Sequence, residues 1–225
     1  MRRVISIIIC ILSLCTVSAE THYKPHIYIG GRAGMTMGKI SFSPNVHQGW
    51  QPGTTGAVTV RYTEEKLFAL IGEFGWTQRG WNEAYDETDL HYSRSLTYLT
   101  LPILTQIYFG SPRVKAFVNL GPEFNYLLGS SISSNFDYQN VGTVADFPAR
   151  RRTEQLTMDI KNRFDYGIMA SVGGEFYIQP RHSVVLEARF YFGLGNIFPS
   201  SKADVFSASR NMSLEFTLGY NFRLK

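Results

Sequence analysis

Cysteine is confined to the first fifteen residues of this 225-residue chain, at Cys10 and Cys15. Both lie in MRRVISIIICILSLCTVSAE, which has a positive start at Arg2 and Arg3, an apolar run from Val4 to Leu14, and the small-residue site Val17-Ser18-Ala19. This is the layout of a secretory signal, expected to occupy residues 1–19 and to leave 20–225 as one mature domain with no cysteine for a disulfide. About ten apolar residues are too few to cross a bilayer as a helix. Bulky Leu14 ahead of Cys15 argues against a lipid anchor there.

Other absences narrow the function. Losing Arg2 and Arg3 from 22 Lys and Arg leaves 20 against 18 acids, a net charge near +2. With no basic stripe, nucleic acid is excluded as a partner. The five histidines, His22, His26, His47, His91 and His182, supply no ligand pair on one element. Nucleophile elbow, phosphate loop and metal-spaced cysteine pair are all missing. The glycine-rich Gly30-Gly31-Arg32-Ala33-Gly34 is followed by no helix that would turn its N-terminus toward a phosphate. We therefore assign no catalytic residue, cofactor or metal from sequence.

What the chain does have is 20 glycines together with 14% aromatics, a pairing that suits strands with crowded backbones. In Met212 to Leu224 the even positions are Met, Leu, Phe, Leu, Tyr, Phe and Leu, and the odd ones are polar or glycine. This period of two marks a strand with one apolar face. It recurs in Val184–Leu194 and Ala116–Tyr126. The most apolar later stretch, YLTLPILTQIYFG from Tyr98 to Gly110, follows it too, although Leu104 and Thr105 blur it and Pro102 must leave one ladder bond unmade, which suggests a local bulge. Ile27–Thr36, Gly56–Tyr62, Phe68–Arg79 and Phe164–Ile178 bring the count to about eight.

The connections alternate in size. Thr63–Lys66, Gly110–Arg113 and Gln179–His182 read as tight turns, whereas 37–55, 80–95, 129–161 and 195–210 are long. Pairing of consecutive strands puts all turns at one end and all loops at the other. The fold class expected is therefore all-β, a transmembrane antiparallel up-and-down β-barrel of about eight strands, with periplasmic turns and extracellular loops. A soluble lipocalin-like barrel would show the same alternation with its apolar set inside. Its outer face would carry lysines; here the polar face carries glycines with acids and arginines between them, as a narrow interior requires.

On that reading Arg32, Arg61, Arg79, Arg189 and Arg223 point inward with Glu73, Glu123, Asp165, Glu175, Glu187 and Glu215. Charges so confined must be paired or hydrogen-bonded, which predicts a salt-bridged plug in an interior only wide enough for side chains. Trp76, Trp81, Tyr108, Phe109, Tyr220 and Phe222 are the expected interface aromatics. His91 and Ser93, near Asp86, Glu87 and Asp89, share a strand face and are the one catalytic candidate, against the plainer reading of a solvated loop end. Arg150-Arg151-Arg152 are candidates for lipopolysaccharide phosphates, or for pairing with the acidic 83–89 segment.

GEFGWTQRG (Gly72–Gly80), YLTLPILTQIYFG, VNLGPEFNYLLG (Val118–Gly129), FDYGIMASVGGEFYI (Phe164–Ile178) and LEARFYFGLGNI (Leu186–Ile197) together resemble the PorT-like outer-membrane β-barrel proteins of Bacteroidetes. The likeness spans nearly all of 20–225 except the loops. It implies an outer-membrane location and a link to protein export by the type IX secretion system. The expectation is a non-enzymatic barrel with a closed lumen, surrounded by outer-membrane lipid and lipopolysaccharide, its loops presented to a secretion or envelope-assembly partner. The alternatives are a lipid-modifying outer-membrane enzyme and a small diffusion porin.

Overall fold

The computed structural model describes residues 25–63, 67–85, 88–145, 147–148, 151–202 and 204–224. The expected leader 1–19, Glu64 to Lys66 of the first turn, Asp86, Glu87 and Arg150 lie outside the described residues. Eight strands follow one another: β1 (His26–Ser43), β2 (Gln51–Thr63), β3 (Phe68–Ala84), β4 (His91–Gly110), β5 (Val114–Ser134), β6 (Phe164–Gln179), β7 (His182–Gly193) and β8 (Ala208–Arg223). Each pairs antiparallel with the next, and β8 returns to β1 from Tyr28↔Arg223 to Ser43↔Ala208. Closure leaves no sheet edge unpaired across the apolar belt, while the loop ends of β3 and β5 run on past β2 and β6.

The ring is staggered. From Ile27, register neighbours lead through Tyr62, Leu70, Thr105, Leu120, Ala170, Phe190 and Leu214 back to β1 at Met37, ten residues further along. On eight strands that stagger sets a tilt of roughly 40° and a Cα radius of about 8 Å. Each residue then rises about 2.5 Å along the axis, so the outward apolar run from Ile27 to Met37 covers about 25 Å, the height of a bilayer band.

Alternation places the two chemistries as the pattern requires. Val58, Leu70, Phe74, Leu120, Val172, Phe216 and Leu218 lie exposed on the outer wall, while Arg32, Glu73, Arg79, Glu123, Glu175, Arg189 and Glu215 are buried inside. In β4, Leu104 is an inward residue and Thr105 an outward one, so the strict period continues through both. Pro102 also points inward and makes no bulge: pairing with β3 is interrupted between Gly72↔Ile103 and Gly75↔Thr100 without a change of register. The register shift lies elsewhere, between Thr97 and Tyr98 against β5.

The strands run further than periodicity indicated. β4 has 20 residues and β5 has 21, about twice what a tilted crossing needs. The excess lies at the loop end, in segments expected to be loops. Above the lipid neither face of a strand must be apolar, so the alternation that reveals a strand fades while its ladder continues. In the long β5–β6 connection a short helix, α1 (Glu154–Thr157), buries Gln155 and Leu156.

Candidate functional site

The inward side chains stack in tiers from the turn end. In the first, Arg61 grips Glu175 through two hydrogen bonds of 2.7 and 2.8 Å and lies 4.2 Å from the Tyr28 ring centroid. Ser183 and Tyr177 hydroxyls donate to the same carboxylate. Above it Glu73 is shared: Arg189 donates to both its oxygens at 2.7 and 2.6 Å and Arg32 Nε donates at 3.0 Å. Arg189 also pairs with Glu187 at 2.8 Å, which Asn119 and Ser171 hold further. In the next tier Arg79 reaches Glu123 at 2.6 Å and Glu215 at 3.4 Å, with its guanidinium 3.8 Å from the Tyr191 ring centroid.

Of the eleven charges expected in the lumen, ten are buried in this lattice. Asp165 takes part without an arginine, accepting from Tyr191 Oη at 3.1 Å and Asn211 Nδ2 at 2.9 Å. Arg223 faces inward by register, but at the rim, where it is half-buried and enters no ion pair among the described residues. Four buried arginines therefore serve five glutamates, and Glu215 and Glu73 hold two arginines each. A cavity of about 40 Å³ lies between Arg61, Glu73, Gln106, Asn119, Glu187 and Asn221, room for a few waters.

At the loop end the lumen changes character. Ile40, Phe42, Trp81, Tyr92, Leu96, Leu127, Leu156, Phe198 and Phe206 form one buried apolar cluster, contributed by strands and by both long loops. Phe42 meets Trp81 edge-on at 5.6 Å and stacks on Phe198 at 6.1 Å. One buried carboxylate ties this cluster together: Glu83 accepts from Trp81 Nε1 at 3.1 Å, Tyr85 Oη at 3.3 Å and Gln155 Nε2 at 3.1 Å. Burial and the neighbouring Glu83 charge raise the Tyr85 phenol above its ordinary range. Arg94 donates to the Met158 carbonyl at 2.6 Å, fixing the loop that α1 belongs to.

Two expected interface aromatics belong inside. Trp81 is fully buried in the apolar cluster, and Tyr108 packs in the lumen against Ala69 and Phe117 beneath Lys115. Both share the parity of their inward neighbours, Arg79 and Glu83 for Trp81 and Gln106 for Tyr108, and that signal could have placed them. Trp76, Phe109 and Tyr220 lie exposed on the outer wall, and Phe222 is half-buried there. Glu83, Arg94 and Gln155 were missed, because nothing local distinguishes them from loop residues.

Of the acids expected near His91 and Ser93, Asp86 and Glu87 lie outside the described residues. His91 and Ser93 do share a face, but it is the outer one, away from the buried carboxylates. Arg151 lies 5.6 Å from the Tyr85 ring centroid, beside the acidic segment, and Arg152 is within 4.0 Å of Glu154. The pairing alternative for this run thus has a geometric basis at Arg151.

A closed antiparallel ring with an apolar outer belt and a charged, filled interior defines the small outer-membrane β-barrels. Residues 24–199 match the family described as outer membrane protein beta-barrel domain, and the chain belongs to that family; the protein is located in the outer membrane. Among solved structures, the outer membrane protein OprG of Pseudomonas aeruginosa is similar in fold at 12% identity and TM-score 0.51, over 89% of this chain and 95% of that one. Neisserial surface protein A is 14% identical with TM-score 0.48, over 89% and 99% of the two chains. The attachment invasion locus protein Ail of Yersinia pestis is 13% identical with TM-score 0.43, over 87% and 98%. No curated protein matches the chain.

Proposed function

We propose that this is a non-enzymatic outer-membrane component, exported by the leader 1–19, whose barrel is a rigid pedestal that presents a folded extracellular head to a protein partner. The observation that carries the reading is the head itself. Strands of up to 21 residues lift the loops clear of the lipid, and Glu83, Arg94 and the aromatic cluster pin Gln155, Leu156 and Met158 of one long loop and Phe198 and Phe206 of the other into one packed body. A pore needs an open lumen and an enzyme needs convergent groups facing substrate; a packed head over an ion-paired plug suits recognition.

The PorT-like resemblance names the partner class, a complex of type IX protein secretion or of envelope assembly. Deleting the gene and comparing secreted proteins with lipid A structure tests this. Altered secretion with unchanged lipid A is expected. Changed lipid A with normal secretion would instead support a lipid-modifying enzyme.

A further inference from the structure

The outer wall carries almost no charge. Among the described strand residues no Asp or Glu points outward, and the outward Lys and Arg side chains are two, Lys39 on β1 and Arg210 on β8. The register sets Lys39 opposite Met212 and Ser41 opposite Arg210, so the two cations are diagonal neighbours, about 7–8 Å apart and somewhat closer at Cβ. Like charges so placed repel. Among the described residues neither has an acid or a hydrogen-bonding partner: Lys39 lies 5.8 Å from the Trp50 ring centroid, and Arg210 Nε is buried without an acceptor.

Their height is as informative as their spacing. The outward residues of β1 are Ile27, Ile29, Gly31, Ala33, Met35 and Met37 before Lys39, and those of β8 run from Phe222 up to Met212 before Arg210. Each run spans about 25 Å, so both cations begin where the hydrocarbon ends at the extracellular side. Lower on the same wall, beneath Met37, Met212 and Leu214, a groove of about 540 Å³ lies between Ala33, Met35, Val172, Leu186, Phe216 and Leu218.

We propose that Lys39 and Arg210 bind the phosphate of an outer-leaflet phosphorylated glycolipid, whose acyl chains descend into this groove. The Ser41 hydroxyl, exposed beside Arg210, adds a third donor. Ammonium and guanidinium both donate charge-assisted bonds to phosphate oxygens, and the bound anion removes the repulsion between them. The inference rests on the outer-membrane location and not on the head's partner, so either stands if the other fails. It also moves the lipid contact from the 150–152 run to the barrel wall.

The test uses the full mature chain in detergent and native mass spectrometry with three probes: a phosphorylated lipid A-type glycolipid, the same lipid after phosphatase treatment, and inorganic phosphate. The untreated lipid should bind at least about ten-fold more tightly than the treated one. Lys39→Gln with Arg210→Gln should abolish that difference in protein that still shows its folded mobility on gels, whereas Lys39→Arg with Arg210→Lys should keep it. Equal binding of the two lipids by the wild-type chain overturns the proposal and needs no variant. Unchanged preference in the folded double Gln variant overturns it also. Competition by inorganic phosphate at the lipid's own concentration would make this a free-anion site and refute the lipid assignment.

Discussion

Arg189 of β7 holds Glu73 of β3 across the barrel through two hydrogen bonds of 2.7 and 2.6 Å, although 116 residues separate them in sequence. Glu187, Glu175 and Glu215 are other inward acids available to Arg189. Only Glu187 pairs with it directly; Glu175 belongs to Arg61 and Glu215 to Arg79 and Arg32. Replacing Arg189 with Gln leaves Glu73 with Arg32 alone and should cost about 3–5 kcal/mol of stability, the usual cost of breaking a buried pair. Denaturant unfolding in micelles measures this, and a change below about 1 kcal/mol would contradict the lattice.

The same lattice should keep the barrel electrically silent. Long side chains of both signs fill a ring of about 8 Å radius, and the cavity between Arg61, Glu73 and Asn119 is only about 40 Å³. Purified protein in planar bilayers should show no stable conductance, while Arg189→Gln should admit small, brief events. Steady large currents from the unmodified chain would make a diffusion porin the better function.

The head should come apart separately from the barrel. Glu83 is the acceptor for three buried donors, from Trp81, Tyr85 and Gln155, and an unsatisfied buried donor costs about 1–3 kcal/mol. In Glu83→Ala, trypsin should cut 135–163 rapidly at Arg151, Arg152 or Lys161, while the barrel keeps its folded gel mobility. Loss of both together would mean that head and barrel form one cooperative unit.

Gly80 occupies a backbone conformation open mainly to glycine, with φ of +141°, and a Cβ added there would lie 2.0 Å from the Arg94 carbonyl oxygen. Gly80→Ala should therefore destabilise by about 2 kcal/mol or more, combining strain with a shifted β3–β4 ladder. A thermal midpoint equal to wild type would show that the ladder relaxes freely at this point.

Lipid contact on the outer wall is tested by Leu120 of β5, which is 57% exposed near mid-height of the apolar belt. Leu120→Arg should cost about 2–4 kcal/mol in a bilayer and reduce the assembled fraction. Assembly unchanged in phospholipid vesicles would contradict the assignment of this face to the membrane.

The sequence by itself determined the strand count, the end at which turns and loops gather, and the face on which each charge lies. The reason is physical: inside the bilayer band a residue meets either lipid or lumen, so every second position is constrained, and Glu215 or Arg79 can be assigned inward from parity alone. The tertiary structure decided which charges meet. Arg189 finds Glu73 because the ten-residue stagger tilts the strands and sets the height at which β7 faces β3, a quantity no single strand contains. It also decided the head. Above the lipid the alternation is no longer imposed, so Ser131 to Ser134 carry no strand signal, and Glu83, Gln155 and Trp81 become one cluster only where two distant loops fold over the ring. Lys39 and Arg210 show the same division: each breaks an apolar run that is visible in sequence, but closure of β8 onto β1 makes them neighbours.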